Sequence, residues 1–555
     1  MFKKISRSKT NGIISAALLI SISTFLSGIL GLLRDRLLAG QFGAGPELDI
    51  YFASFRIPDL VQSLLVAGGI SAVFLPIFSE EFKKSKEKAF LFANNLLHCI
   101  SIFLIISCFV LFLLAPLLVN FIVPGFDVLQ KAKTVSVTRI MLLSPILFAL
   151  SSIFSGILHY FNRFLVYGLA PIFYNIGIIL GILFLVPVFG IYGLAIGVVL
   201  GAIVHLLIQI PSARNAGYVY QKILNFKNYR LKKVFELMGP SAFGILFIQL
   251  NLIVTTFLCS NLASGTITIF SFARNLQSIP IGLIAVPLAT AIFPLLSKSL
   301  VLENKQKFQE VVSLGISQIL FFMTPLSILV FILRAQIVRI VLGAGQWGWT
   351  ETRLTAACLG IFSFSLLASS LVIFFRKIFY SLQETKKPTL VEGLIFLLNV
   401  GLSLLFLFLF SRAGYFSEVV ARILKVQDIK EIGILSFPLA IAFSTWAQMF
   451  LFLPFLMKKT GFPRFLDIFV SVKNIVLLSL LMGVAVWLSA RWLVLVFPLN
   501  SFWNVLFQAG ISSIIGFFVY LGGAILLRLP ELKYLWDSFV GRKNNLSTEK
   551  LENPL

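Results

Sequence analysis

Long apolar runs constrain this chain more than any other feature of its sequence. A helix that crosses a bilayer needs roughly 20 mostly apolar residues. The 555-residue sequence contains such runs repeatedly, separated by short charged or Pro- and Gly-containing breaks. The pattern predicts an all-α integral membrane protein of about 14 transmembrane helices. The predicted spans are 13–35, 57–79, 92–122, 135–160, 166–187, 190–211, 236–259, 267–296, 311–342, 352–375, 389–411, 433–457, 468–491 and 502–527.

The composition supports a lipid environment. Hydrophobic residues make up 58% of the chain and charged residues 12%, and the mean hydropathy is +0.98. A chain of this composition is too apolar for ordinary soluble domains. The first span follows MFKKISRSKTNG without a small-residue cleavage site, so we expect it to be retained rather than removed as a signal peptide.

The positions of Lys and Arg predict the orientation, because positively charged juxtamembrane loops stay in the cytoplasm. With the N-terminus inside, 30 of the 46 Lys and Arg residues fall in predicted cytoplasmic segments. This predicts a multi-pass membrane protein with both termini cytoplasmic. The formal net charge of +24 therefore needs no nucleic acid to explain it, and no nucleic-acid-binding motif accompanies it.

The sequence offers no pattern typical of catalysis. The cysteines and histidines are scattered over separate spans: Cys99, Cys108, Cys259, Cys358, His98, His159 and His205. They lack CxxC or any metal-ligand spacing, and there is no GxxxxGK[ST] loop for ATP. We therefore predict a protein that is not an enzyme, with no metal site and no cofactor, and the coupling ion stays open.

An internal repeat divides the chain. The stretch Tyr51–Glu80 aligns without gaps onto Ile269–Lys298 at an offset of 218 residues. The matched pairs are Phe52 with Phe270, Arg56 with Arg274, Ala67 with Ala285, Pro76 with Pro294 and Ser79 with Ser297. The copies lie in the second and eighth spans, an offset of six spans, so the repeats are predicted to have parallel topology about an axis along the membrane normal.

The repeat predicts the domain organisation. An N-lobe of spans 1 to 6 covers 1–211, and a C-lobe of spans 7 to 12 covers 236–457. Between them, 212–235 is a basic cytoplasmic linker that we expect on the anionic lipid surface. Spans 13 and 14, within 458–527, stand outside the repeat, and 528–555 is a cytoplasmic tail.

Ionisable residues within spans are the candidate binding groups, since each costs roughly 2.5–3.5 kcal/mol to insert and usually faces a cavity. They are Arg34, Asp35 and Arg36 in or beside the first span, Asp49, Arg56 and Asp59 around the start of the second, and Arg274 in the eighth. Apolar turns flank Arg34 and Arg274, which favours a cavity role. Arg36, Asp49 and Asp59 fit interfacial or helix-linking roles equally well.

One Arg from each lobe would form a cationic site suited to a diphosphate, which guanidinium groups bind bidentately. We expect Arg34 and Arg274, and secondarily Arg56, to contact the diphosphate. Asp35 and Asp49 are expected to orient those guanidiniums.

Helix breakers suggest where the spans bend. Gly28 and Gly31 weaken the first span, and Pro280 and Pro287 interrupt the eighth. These positions are candidate hinges of moving gates, and static kinks explain them equally well. Gly193, Gly197 and Gly201 repeat at four-residue spacing in the sixth span, which predicts close helix contact.

Several segments together resemble the MurJ/MviN lipid II flippases of the multidrug/oligosaccharidyl-lipid/polysaccharide exporter superfamily. They are SGILGLLRD (27–35), FGAGPELD (42–49), FRIPDL (55–60), AVFLPIFSE (72–80), SFARNLQSIPIGLIAVPLATAIFPLLS (271–297) and FRKIFYSLQETKKPT (375–389). The likeness covers nearly the whole chain. It implies fourteen helices, an alternating-access cycle, and a groove for the lipid tail in spans 13 and 14.

The resemblance also assigns residues. The family's essential arginines map onto Arg34 and Arg274, and its acidic residue before the second span maps onto Asp49. Gly28 and Gln62 stand where the family commonly has arginine, so Arg56 is expected to take part of the phosphate contact. Thr255 stands where some relatives carry an Asp linked to sodium, and no sodium site is carried over.

These expectations favour a lipid II flippase that exports the undecaprenyl-diphosphate-linked peptidoglycan precursor from the inner to the outer leaflet. Its partners would be lipid II, membrane lipids and the cell-wall synthesis machinery. Three alternatives stay open: a flippase for another polyprenyl-diphosphate-linked glycan, a cation-coupled small-molecule antiporter, and a non-transporting membrane partner of cell-wall enzymes.

Overall fold

The computed structural model describes residues 13–64, 71–302, 304–412, 414–429, 431–460, 465–499 and 501–539, and these contain helices and no β-strand. The first eleven α-helices are α1 Ile13–Phe42, α2 Pro46–Ser54, α3 Arg56–Gln62, α4 Ser71–Lys84, α5 Lys86–Ile122, α6 Val128–Met141, α7 Leu143–Tyr160, α8 Phe164–Leu180, α9 Val186–Phe189, α10 Ile191–Leu207 and α11 Gln209–Asn215. The remaining α-helices are α12 Tyr229–Ser260, α13 Thr266–Pro280, α14 Val286–Val301, α15 Lys305–Leu342, α16 Trp349–Ser381, α17 Lys386–Ser411, α18 Tyr415–Leu424, α19 Ser436–Thr460, α20 Phe465–Val496, α21 Phe502–Leu526 and α22 Pro530–Phe539.

Within the described residues, twelve helical stretches are long and apolar enough to cross a membrane. They correspond one to one with the third to fourteenth predicted spans, so the all-α membrane fold is confirmed. The first predicted span lies in α1. The second is interrupted by residues 65–70, which lie outside the described part of the chain, and the count of fourteen stays a prediction.

Local sequence signals set where several helices begin. Ser85 separates α4 from α5, and its Oγ accepts a hydrogen bond from the backbone N–H of Lys88 at 3.0 Å. Asp127 caps α6 in the same way and receives the N–H of Gln130 at 2.7 Å, while the Gln130 side chain bonds back to the Asp127 N–H. Such reciprocal caps satisfy the amides that a helix start leaves unpaired.

The chain forms two compact units that are discontinuous in sequence. Unit 1 comprises residues 1–273, 341–355 and 385–440, and unit 2 comprises 274–340, 356–384 and 441–555. In unit 2, α20 and α21 pack on each other and on α15 through a buried cluster that includes Phe321, Met482 and Tyr520. The lobes and the lipid-tail groove drawn from the sequence stay predictions.

Glycines allow α8 and the π-helical turn Gly181–Leu185 that follows it to approach α10 closely. A Cβ built on Gly177 would lie 2.3 Å from Cα of Gly201, and one built on Gly197 would lie 2.8 Å from Cα of Gly181. One on Gly193 would lie 2.3 Å from the carbonyl oxygen of Leu185. No larger side chain fits this contact without a shift of backbone, so the close packing predicted from the glycine spacing is confirmed.

The predicted interruption of the eighth span is present as a π-helical turn. Residues Ile281–Ala285 form this turn between α13, which ends at Pro280, and α14, whose second residue is Pro287. Residues 63 and 64, directly after α3, are also π-helical. They correspond to 281 and 282 at the repeat offset of 218, so the two copies share a local backbone irregularity as well as sequence.

Candidate functional site

Arg34, in the last third of α1, is held by two neighbours in unit 1. Its Nε and Nη2 donate to Oδ1 of Asp35 at 3.0 and 2.8 Å, and Nη1 donates to Oδ1 of Asn175 on α8 at 3.2 Å. A guanidinium has five N–H donors, so two remain beyond these three bonds. The Arg34 side chain is 22% exposed, and the arrangement therefore presents an oriented cation that can still bind an anion.

Asn175 connects this cation to the backbone of α1. Its Nδ2 donates to the carbonyl oxygen and to Oγ of Ser27, at 3.3 and 3.2 Å. The buried Asn175 amide thus links α8 to α1 at Ser27 and at Arg34, and its bond to Arg34 helps to orient the guanidinium. The sequence did not predict this role, because Asn175 is an uncharged residue 141 positions from Arg34.

Asp49, on α2, has a different environment from Arg34. Its Oδ2 accepts the N–H of Gly265 at 2.6 Å, and its Oδ1 accepts both the N–H and the Oγ1 hydroxyl of Thr268, at 2.8 and 2.7 Å. Among the described residues, all three donors belong to the start of α13 and none to an arginine. The carboxylate therefore caps α13, where the helix dipole favours negative charge.

The capped turn is sterically closed. Gly265 has a φ of +89°, and a Cβ added there would lie 2.6 Å from the carbonyl oxygen of Ala44. Asp49 is 3% exposed, and it lies between the first two predicted spans. Burial raises its pKa to about 6, although the hydrogen bonds from Thr268 and Gly265 act to lower it.

Arg56 begins α3 and is buried, with 8% exposure. Its Nε donates to Oγ1 of Thr256 on α12 at 2.7 Å, and that hydroxyl donates in turn to the carbonyl oxygen of Leu252 at 2.8 Å. The bond joins the predicted N-lobe to the predicted C-lobe within unit 1. Arg56 therefore has a helix-linking contact in addition to the phosphate contact expected of it.

The remaining predicted binding residues lie on α3 and α13. Gln62 is the last residue of α3 and is half-buried. Arg274 is half-buried on α13, in unit 2. One turn later, the Nε2 of Gln277 donates to Oγ of Ser365 on α16 at 2.8 Å, so this neutral side chain has a structural partner.

The predicted hinges differ in their surroundings. α1 runs without a break through Gly28 and Gly31, and a Cβ added at either position would meet nothing within 4 Å. Pro280 and Pro287, by contrast, flank the π-helical turn. The structure thus places a local irregularity in the eighth span, and the gating role of all four residues stays a prediction.

A family model described as "Lipid II flippase MurJ" matches residues 38–507. A relative from Borreliella burgdorferi, named "Probable lipid II flippase MurJ", is 30% identical over 397 residues, which cover 71% of this chain and 78% of the relative. "Lipid II flippase MurJ" from Burkholderia cenocepacia is 26% identical over 385 residues, covering 67% and 74% of the two chains.

Solved structures show the same fold. "Lipid II flippase MurJ, inward closed conformation" superposes with a TM-score of 0.71 at 24% identity, covering 92% of this chain and 99% of that one. An inward-facing multidrug-resistance MATE transporter of the MOP superfamily gives a TM-score of 0.60 at 14% identity, covering 80% and 100%.

Proposed function

The chain belongs to the family of the lipid II flippase MurJ, and from this membership we propose that it moves lipid II from the inner to the outer leaflet by alternating access. The observation that carries the proposal is the family match over residues 38–507. It includes the sequence from just after Arg34 to the start of the last predicted span. Lipid II is the membrane-bound precursor of peptidoglycan, so the protein would serve cell-wall biogenesis and cell shape.

Arg34 is the group that we propose as the principal contact of the diphosphate. Its two remaining N–H donors suit a phosphate, which binds guanidinium groups through paired hydrogen bonds. Asp35 and Asn175 fix its orientation. Arg274 is proposed as the second cationic contact and Arg56 as a supporting one, with Gln62 as a neutral member of the site.

Asp49 is proposed to act on the site through α13. It caps the start of the helix that carries Arg274 nine residues after Gly265. The capped turn and Arg274 belong to one helix with continuous i to i−4 hydrogen bonding, so a change at its start can reach Arg274. Asp49 would therefore position the helix rather than touch a guanidinium.

We further propose that the protein works in the bacterial inner membrane with both termini in the cytoplasm, and that the cell-wall synthesis machinery is its partner. Translocation breaks no covalent bond, so we propose no catalytic group, metal or cofactor. The energy for transport would come from the membrane potential or an ion gradient.

The test is a flipping assay with the full chain in lipid vesicles that contain fluorescently labelled lipid II. The rate at which labelled lipid becomes accessible outside is compared for wild type, Arg34→Ala and Arg274→Ala. Arg412→Ala is the matched control, because Arg412 is exposed and stacks on Phe408. Removing a guanidinium that binds phosphate is expected to slow flipping at least about tenfold, since hydrogen bonds to charged groups contribute roughly 1.5–3 kcal/mol.

The outcomes separate the function from the site. Wild-type vesicles that flip no more lipid II than empty vesicles would contradict the proposed function. If the wild type flips lipid II and the Arg34→Ala and Arg274→Ala variants flip it as fast as Arg412→Ala, the proposed site is contradicted and the proposed function is not.

A further inference from the structure

An extended segment runs along the first turns of α5. We call residues 216–228 the strap. Asn94 donates from Nδ2 to the carbonyl oxygen of Val219 at 2.8 Å. Asn95 exchanges two hydrogen bonds with Asn225, at 3.0 and 2.7 Å. In these bonds the backbone of the strap pairs with asparagine side chains of α5.

Two aromatic contacts complete the attachment. The hydroxyl of Tyr218 donates to Oδ1 of Asn94 at 2.5 Å. The ring nitrogens of His98 lie 2.9 Å from the carbonyl oxygen of Ile223 and 2.9 Å from the hydroxyl of Tyr220. These bonds join three polar side chains of α5 to the strap, and the strap and α5 both belong to unit 1.

The strap also exposes large apolar and aromatic side chains. On the strap these are Val219, Tyr220, Leu224 and Phe226, and Tyr229 follows as the first residue of α12. Each is between 52% and 73% exposed. A run of exposed aliphatic and aromatic side chains this dense is unusual in a loop that faces water and marks an interaction surface. Aromatic residues of this kind gather where a bilayer meets water.

The same surface is basic. Residues 212–235 contain six Lys and Arg residues and no acidic residue. Lys222 and Lys227, both on the strap, are exposed. Basic residues next to a transmembrane helix attract anionic lipid, by about 1 kcal/mol each, which is about fivefold per lysine.

The attachment fixes the depth of the strap. Asn94, Asn95 and His98 lie at the start of the predicted third span, 92–122, where hydrocarbon gives way to headgroups. We propose that the strap is an interfacial anchor that binds the headgroups of anionic phospholipids through Lys222 and Lys227, with its exposed apolar side chains in the boundary layer. This inference does not depend on the transported substrate.

Fluorescence from a single site on the strap tests the proposal. Cys99, Cys108, Cys259 and Cys358 are buried, so Phe226→Cys can be labelled selectively with an environment-sensitive dye in the full chain. The labelled protein is placed in nanodiscs of phosphatidylcholine alone or with phosphatidylglycerol, and quenching of the dye by an aqueous ion is measured. We expect phosphatidylglycerol to shift the emission to the blue and to reduce quenching at least about threefold.

The control variants separate charge on the strap from charge elsewhere. Lys222→Gln with Lys227→Gln should abolish the effect of phosphatidylglycerol. Lys305→Gln with Lys386→Gln, which removes two exposed lysines from other helices, should preserve it. Equal quenching in the two kinds of nanodisc, or an effect that both double variants remove to the same extent, would overturn the proposal.

Discussion

At the scale of single residues, Arg34 and Arg56 show two ways in which a membrane protein holds a guanidinium. Arg34 shares three of its donors with Asp35 and Asn175 and remains partly exposed. Arg56 is buried and bonded to Thr256. Because an exposed donor can exchange water for phosphate at little cost and a buried one cannot, the two arginines should respond differently to the substrate.

Asn175→Ala tests whether the orientation of Arg34 matters. The substitution removes the acceptor of Nη1 and the link from α8 to Ser27. We expect a higher lipid II concentration at half-maximal flipping rate, by about tenfold, because one hydrogen bond to a charged group contributes roughly 1.5–3 kcal/mol. An unchanged half-maximal concentration with a lower maximal rate would indicate that Asn175 acts on helix movement instead.

Asp49→Ala should expose the start of α13. Three donors of Gly265 and Thr268 lose their acceptor, and removal of such a cap costs about 0.5–2 kcal/mol. Hydrogen exchange of these two amides should accelerate by roughly twofold to thirtyfold. Asp49→Asn keeps one acceptor oxygen and should give a smaller change, and equal exchange in all three proteins would contradict the capping role.

The candidate site was only partly predictable from sequence. Arg34 and Arg274 could be proposed as candidates because a charge inside an apolar run is costly and therefore conspicuous. The partner of Asp49 could not be found, since Gly265 lies 216 residues away and no local pattern encodes such a contact. In the sequence, an acidic residue that caps a distant helix looks the same as one that orients an arginine, because neither role leaves a local pattern.

At the scale of the helices, glycines in α1 and α10 have opposite surroundings and should tolerate substitution differently. Gly28→Ala and Gly31→Ala meet open space and should stabilise an exposed helix by up to about 1 kcal/mol each. If these residues are hinges, flipping should slow while the melting temperature holds or rises. Gly197→Leu would press on Gly181 and should lower the melting temperature. Unchanged flipping in Gly28→Ala and Gly31→Ala would contradict the hinge.

A buried ion pair fastens α4 to α12. Glu81, whose side chain is 1% exposed, lies 2.5 Å from Nη2 of Arg230 and 2.9 Å from Nζ of Lys84. Removing Arg230 would leave Lys84 as the remaining ion-pair partner of the buried carboxylate, and loss of a partner from a buried charge is destabilising. Glu81→Gln, Arg230→Gln and the double variant should therefore give a coupling free energy of about 1–3 kcal/mol in thermal unfolding.

The exposed pair of Lys232 and Glu236 serves as the control for that cycle. Its atoms are 3.8 Å apart and its side chains are 75% and 60% exposed. An exposed pair of this kind is worth roughly 0–1 kcal/mol. Equal coupling free energies for the two pairs would contradict a stabilising role for the contact between Glu81 and Arg230.

The helices themselves were the most predictable part of the molecule. Twelve spans were recovered because length and apolarity suffice to define a membrane helix, as in Phe502–Leu526 against the predicted 502–527. Helix starts were less predictable. α5 begins at Lys86 rather than residue 92, because Ser85 caps a charged first turn that has no apolar signal.

At the scale of the whole molecule, the sequence repeat and the compact units divide the chain in different ways. Unit 1 contains 341–355 and 385–440 in addition to 1–273, so parts of both predicted lobes pack together there. Sequence similarity reports the ancestry of segments, whereas compactness reports which segments now share buried contacts. The repeat is visible in the sequence, for example in the match of Arg56 with Arg274. The packing of α17 against α12, by contrast, is not encoded by any pattern in the sequence.

The orientation of the chain can be tested across one helix. α17 joins Lys386, which is predicted to face the cytoplasm, to the loop that precedes Tyr415, which is predicted to face the periplasm. Both residues are exposed, Tyr415 by 84%, and the native cysteines are buried. In cells with a permeabilised outer membrane, a membrane-impermeant maleimide should label Tyr415→Cys at once and Lys386→Cys only after the inner membrane is disrupted. The test works because a charged reagent cannot cross the hydrocarbon that α17 spans. The reverse order of labelling would invert the predicted topology. It would place the Lys- and Arg-rich loops outside the cytoplasm, against the charge rule from which the topology was derived.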